Sequence, residues 1–167
     1  DPYANAFNES ANGKRWAPDK TKMSDWVWER KYEIDSLCYP IRTAYKLWKT
    51  ARRTDHFSAE FHKAPETILH VWDIEQNHEH ASDYTFEREN CYFTDTLSRG
   101  GKGALTKPDI GLLWSGFRPS DDACVYGYLI PANMFACVVL GYVTEIAENI
   151  FHDAALAQRA AKLQSTV

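Results

Sequence analysis

Apolar positions along the chain fall into four helical stretches separated by polar, punctuated segments. From Ile34 onward, Leu37, Ile41, Ala44, Tyr45 and Trp48 recur at three- and four-residue spacing, the period of a helix with one buried face. Asp35 or Ser36 can cap its start and Pro40 suits only a first turn, so the expected helix runs over 36–52. A second helix is expected to open at Pro65, because proline favours the first helical position, and to pass through Ile68, Leu69 and Trp72 toward Gln76. Pro131 opens the strongest one, with Met134, Phe135, Val138, Val139, Tyr142, Ile146 and Ile150 on one side, and Asp153 can cap an Ala-rich helix over 154–164.

The connections are uneven. Residues 1–31 are polar and broken by Asn and Pro, anchored by Trp16, Trp26 and Trp28, and read as an ordered loop instead of a sheet. Between His80 and Ile130 little periodicity survives beyond short candidate strands or turns at Tyr84–Phe86 and Cys91–Phe93. Roughly fifty residues of loop between helices is abnormal for a compact domain and marks functional loops. The pattern therefore implies a mainly α array whose long loops carry the chemistry.

Composition narrows the partners. The chain has 167 residues, 44% apolar and 14% aromatic, enough for one domain with a sizeable core. Its formal charge of −4 is interspersed, with no basic stripe for a phosphate backbone, which argues against nucleic acid. The longest apolar run, Met134–Val143, falls short of the roughly 20 residues a membrane span needs, so no span is expected in this segment. Cys38, Cys91, Cys124 and Cys137 are irregularly spaced and read as buried thiols, with a disulfide left open. His78-Glu79-His80 cannot aim successive helical positions at one ion, so neither a metal nor any cofactor is expected. Gly100-Gly101-Lys102-Gly103 lacks the frame of a phosphate loop and reads as a flexible hairpin tip.

The candidate site is Trp114 to Phe135, W-S-G-F-R-P-S-D-D-A-C-V-Y-G-Y-L-I-P-A-N-M-F. Two adjacent acids, Asp121 and Asp122, lie among aromatics, where desolvation and mutual repulsion raise a carboxyl pKa and favour a proton donor. Arg118 offers a fork of donors for substrate hydroxyls, or an ion pair with one of the acids that would argue against that acid as proton donor. Tyr126 is a second candidate hydroxyl contact. Trp114 and Phe117 can stack on a sugar ring or pack beneath the loop, and Asn133 can bind a ligand or a loop. Asp35 is either a helix cap or a ligand carboxylate.

These residues also carry a resemblance. S-G-F-R-P-S-D-D-A-C followed by Y-L-I-P-A-N-M-F-A is similar to the signature of glycoside hydrolase family 125, as are D-P-Y-A-N-A-F-N at Asp1–Asn8 and W-E-R-K-Y-E-I-D-S-L-C-Y-P at Trp28–Pro40. Glu75-Gln76 before Tyr84–Arg88 extends the match, which covers most of the chain to about Ile150 and only the middle of the family's length. Gly111-Leu112, Ala132 and Cys137 depart from common family residues without removing a carboxylate. The resemblance implies an arc of an (α/α)6 barrel with long active-site loops, residues 1–167 being a single incomplete segment of one catalytic domain. It implies an exo-acting, metal-independent α-1,6-mannosidase acting on mannose-containing oligosaccharides or glycans. Its inverting mechanism needs a general acid and a water-activating base. The acid would fall at Asp121 or Asp122. The base is expected in a His-Glu motif beyond this chain, which alone would then be inactive; Asp35 as second carboxylate is a less favoured option. A catalytically inactive carbohydrate-binding protein could use the same residues as ligands, and a helical array binding another protein through its loops is a third reading.

Overall fold

The computed structural model describes residues 1–167. Helices α1 (Ile34–Ala51), α2 (Ala59–Glu75), the single turn α3 (His78–Ala81), α4 (Ile130–Ile146) and α5 (Ala154–Thr166) account for the regular structure, with a short 3₁₀ turn at Phe93–Asp95. Helix α4 packs between α1 and α5, and α5 also packs on α2. The long apolar helices thus form a layer on which the loops sit.

The helices begin earlier than their prolines suggest. Ser58 caps α2, its hydroxyl accepting the Phe61 amide at 3.2 Å, so Pro65 lies inside the helix and is buried. Helix α1 starts at Ile34, which leaves Pro40 in its second turn, and neither Asp35 nor Ser36 is the cap; Glu33 holds that position without a side-chain capping bond. Each proline removes one amide from a helix otherwise held by a buried apolar face. Asp153 does cap α5, accepting the Leu156 amide at 2.9 Å.

Helix α4 buries Val139 and Ile146 as expected, but its inward face is rotated from the expected one. Ala132, Ala136, Val139, Leu140, Val143 and Ile146 are buried, whereas Met134 and Val138 are at least half exposed. A helix apolar all round does not specify its buried face, and the alanines win because they allow close approach of α1 and α5. The helix continues through a π turn (Ala147–Phe151), and the stretch Ile130–Phe151 reaches the length and apolarity of a membrane span, longer than the ten-residue run alone indicated. Its inward face is part of the core, as in the central helix of a folded domain.

The amino-terminal segment is not all loop. Strand β1 (Ala6–Phe7) pairs antiparallel with β2 (Val27–Glu29) across a register irregularity. Of the two candidate strands or turns, Tyr84–Phe86 is irregular and Cys91–Phe93 runs into the 3₁₀ turn, which with one isolated bridge is the regular structure between Ser82 and Leu129, as the missing periodicity implied. The glycine run is no open tip: Gly101 and Gly103 are buried, and a Cβ at Gly103 would lie 2.7 Å from Trp114 Cζ2. All four cysteines are free, Cys38 and Cys124 buried.

Candidate active site

The W-S-G-F-R-P-S-D-D block folds into a hairpin-like loop. Phe117 bridges to Ala123, the Arg118 amide donates to the Asp122 carbonyl at 2.8 Å, and the Asp121 amide donates to the Arg118 carbonyl at 2.8 Å. Asp121 sits at its tip with φ +70°, a left-handed conformation that a short polar side chain tolerates better than most. The loop is moored on one side by the Phe117 amide to the Tyr32 carbonyl at 2.9 Å and on the other by the Ala123 amide to the Thr94 carbonyl at 2.7 Å.

Its two acids have different surroundings. Asp122 accepts through one oxygen, Oδ2, from Arg118 Nη2 and Ser120 Oγ, both at 3.0 Å. That pair closes the turn. Asp121 is engaged at both oxygens, with Asn5 Nδ2 3.3 Å from Oδ1 and Lys31 Nζ 3.1 Å from Oδ2, while its side chain stays half exposed. Burial pushes its carboxyl above the usual range against the opposing Lys31 bond. The Arg118 pairing therefore falls on Asp122 and not on Asp121.

A charged strip runs beneath the loop. Glu29, Lys31 and Glu33 alternate along the extended segment that leads from β2 into α1, and all three are buried. Glu29 accepts from Asn5 at 3.0 Å and from Arg88 at 2.7 Å, and Arg88 also grips Asp19 through two nitrogens. Glu33 accepts from Ser36 Oγ at 2.7 Å, yet burial raises its carboxyl to about 7, helped by the nearby charges of Asp35 and Asp121. The sequence pattern places Glu33 at the entry to α1 but assigns it no chemistry. A period-two run of charged residues in W-E-R-K-Y-E-I-D was the available signal, since charges are rarely buried in such a row without a purpose.

Asp35, one residue into α1, lines a cleft of about 440 Å³ together with Tyr39, Arg118, Ser120, Leu129 and Phe135. It is only 7% exposed, its Oδ1 is buried without a hydrogen-bond partner, and burial raises its carboxyl. A larger depression of about 600 Å³ lies on the other side of Tyr39 and is lined by Asn5 and Ser36, the partners of Asp121 and Glu33. Asp35, Arg118 and the acid loop are thus brought together.

Four other candidate residues, Trp114, Phe117, Asn133 and Tyr126, do not line that cleft. Trp114 is 1% exposed, its ring stacked on His78 at a centroid distance of 3.4 Å and on Tyr32 at 6.1 Å, so it packs the floor and offers no face to a sugar. The amide of Asn133 is spent inside the core on Leu113 and Leu129, its Oδ1 accepting the Leu113 amide at 2.7 Å, which fixes the loop where it meets α4. Tyr126 is 84% exposed on the outgoing arm. Phe117 is likewise buried, edge-on to Phe86. The residues of His78-Glu79-His80 diverge: His78 meets buried Glu75 at 2.6 Å, and Glu79 pairs with Arg99 at 2.6 Å.

All 167 residues match the family described as metal-independent alpha-mannosidase (GH125). The chain belongs to that family. Glycoside hydrolase family 125 also contains the solved structural neighbour, a Streptococcus pneumoniae metal-independent alpha mannosidase in a non-productive complex with alpha-1,6-mannobiose. It is 46% identical, with a TM-score of 0.94 over 99% of this chain and 39% of that one. The Meiotically up-regulated gene 157 protein of Schizosaccharomyces pombe (strain 972 / ATCC 24843) is 31% identical over 90% of this chain and 33% of its own length. The chain thus spans between a third and two fifths of these relatives, and its helices are an arc of an (α/α)6 barrel.

Proposed function

We propose that this chain forms the acid-bearing part of an exo-acting, inverting α-1,6-mannosidase, with Asp121 as general acid. The observation that carries the proposal is the pairing of the S-D-D loop with the cleft walled by Asp35 and Arg118, where Asp122 is committed to closing the turn and Asp121 is not. In the reaction, Asp121 gives its proton to the glycosidic oxygen as the C1–O bond breaks. Water adds to C1 from the opposite face and loses its proton to a base outside these 167 residues. The products are mannose and the glycan shortened by it, two mannoses in the case of mannobiose, and mannose-containing glycans ending in an α-1,6 linkage are the expected substrates. Family membership supports the reaction class, and the mannobiose bound by the pneumococcal relative supports the linkage. Asp35 would accept a sugar hydroxyl at the cleft wall, Arg118 would donate from the same wall, and Tyr126 would contact a sugar from the loop's outer arm.

One observation favours the alternative of a catalytically inactive carbohydrate-binding protein: both oxygens of Asp121 already accept hydrogen bonds, as a ligand-holding carboxylate would. Kinetics of the full-length protein on α-1,6-mannobiose separate the two. Asp121→Asn is expected to lower kcat by about 10²–10⁴-fold, the worth of a general acid, and Asp122→Asn by much less. Turnover by Asp121→Asn at the wild-type rate would remove Asp121 from the role, and absence of turnover by the wild type would favour the binding protein.

A further inference from the structure

We infer that Lys31, with Asp95 behind it, is a positioning residue that fixes Asp121 in its left-handed conformation and sets the pH range over which that acid works. The inference rests on the acid role proposed for Asp121.

The Lys31 side chain is completely buried, an environment that an ammonium tolerates only when its donors are satisfied. Its Nζ has three acceptors: the Asp121 carbonyl at 2.8 Å, Asp121 Oδ2 at 3.1 Å and Asp95 Oδ1 at 3.2 Å. The ring of Phe117, at the base of the same loop, lies 5.1 Å from it. Two of the three contacts go to one residue, and one of those is to its backbone. A lysine needed only to neutralise charge would have no reason to hold that carbonyl, whereas one that holds it restrains ψ and the side-chain torsions of Asp121 together, and with them the turn in which Asp121 takes φ +70°.

Asp95 divides the ammonium's field. It comes from the 3₁₀ turn, whose Thr94 carbonyl also holds Ala123, so the turn clamps both the lysine and the loop. Other charged or titratable groups facing Asp121 are Glu29 and Arg88 from the floor, Glu33 from the entry to α1, and Arg118 paired with Asp122 on the loop itself. Lys31 is the one of these that bonds directly to the Asp121 carboxyl as a cation, and Asp95 shares it.

The signs follow from charge. A neighbouring cation favours the ionised carboxyl, so removing Lys31 raises the pKa of Asp121 and lets the acid stay protonated to higher pH. Neutralising Asp95 removes an anion from the same spot and leaves more of the ammonium's field on Asp121, which lowers it. The basic limb of the kcat/KM profile reports the group that must be protonated.

The test measures pH profiles of the full-length protein on α-1,6-mannobiose, with α-mannosyl fluoride as a second substrate whose leaving group needs little protonation. Lys31→Met is expected to move the basic limb up by about one pH unit and to cut mannobiose turnover at least about tenfold, with fluoride turnover within about threefold of wild type. Asp95→Asn, at a partly exposed position that tolerates change, is expected to move the limb down by about half a unit. An unmoved limb in Asp95→Asn, or equal losses on both substrates with an unmoved limb in Lys31→Met, overturns the inference and leaves Lys31 a structural ion pair. Asp121→Asn provides the separate control. Loss of mannobiose turnover with fluoride turnover retained keeps the acid assignment whatever Lys31 does, and retained mannobiose turnover overturns that assignment itself.

Discussion

Replacing Glu33 by Gln should make the protein more stable, and only above about pH 5. Glu33 is 8% exposed beside Ser36, which lines the larger depression, and burial lifts its carboxyl from 4.5 to about 7. Below pH 4.5 the group is protonated in both folded and unfolded chains and contributes no pH dependence. Between 4.5 and 7 the unfolded chain releases its proton while the folded one keeps it, so the unfolded state binds fewer protons and stability falls as pH rises. Above 7 the loss is complete. At about 1.4 kcal/mol per unit the shift corresponds to about 3 kcal/mol, and hydration from the neighbouring cleft reduces this to about 2 kcal/mol. Gln keeps the acceptor for Ser36 Oγ, which now bonds Glu33 at 2.7 Å, without a charge to bury. Urea unfolding of wild type and Glu33→Gln in the full-length protein, at several pH values from 4 to 8.5, reads the difference directly. It should be near zero at pH 4 and grow to about 2 kcal/mol in favour of Gln by pH 8. A difference that does not change with pH would refute the reasoning, because it would show that Glu33 ionises as readily in the fold as out of it.

Two other expectations concern the floor and wall of the site. Gly103→Ala places a Cβ 2.7 Å from Trp114 Cζ2 at φ +80° and should cost about 2–4 kcal/mol, whereas Gly100→Ala, at φ +64° with nothing within 4 Å, should cost about 1 kcal/mol; denaturant melts showing equal losses would contradict the packing. Asp35→Asn should raise KM for α-1,6-mannobiose about tenfold without lowering stability at pH 8, since the change removes a buried carboxylate whose Oδ1 lacks a partner; an unchanged KM would assign Asp35 to structure alone.

Much of the helical frame and the loop that carries the acids were legible in the residues. Ile34–Trp48 announce α1 by their spacing, and Asp153 announces α5 by its capping chemistry. The buried face of α4 was legible only in part, at Val139 and Ile146, because a helix with apolar residues on every side leaves the choice to its neighbours. The helix starts were misplaced because Pro40 and Pro65 read as first-turn residues, while packing of Ile41, Ile68 and Leu69 into the core holds each helix through its proline. In the site, the S-D-D acids and Asp35 could be named from their motifs, and the structure groups them with Arg118. What the motifs could not tell is which acid Arg118 takes, since Asp121 and Asp122 are adjacent and only the turn geometry separates them. Residue type left Trp114 and Asn133 open between ligand and packing, and burial assigns both to the floor. Lys31 and Asn5 escaped because their partners lie at least 64 and 24 residues away in sequence, distances at which only the fold makes a pattern.

The central claim is the proposed one, that the S-D-D loop donates a proton to an α-1,6 mannosidic oxygen in the full-length protein. Proton NMR of α-1,6-mannobiose with the full-length protein and EDTA, following the anomeric signals from the first minutes, tests it most directly. The account predicts that β-mannose appears first and mutarotates afterwards, with EDTA making no difference. Early α-mannose would contradict the inverting mechanism, and no cleavage by a folded protein would contradict the mannosidase.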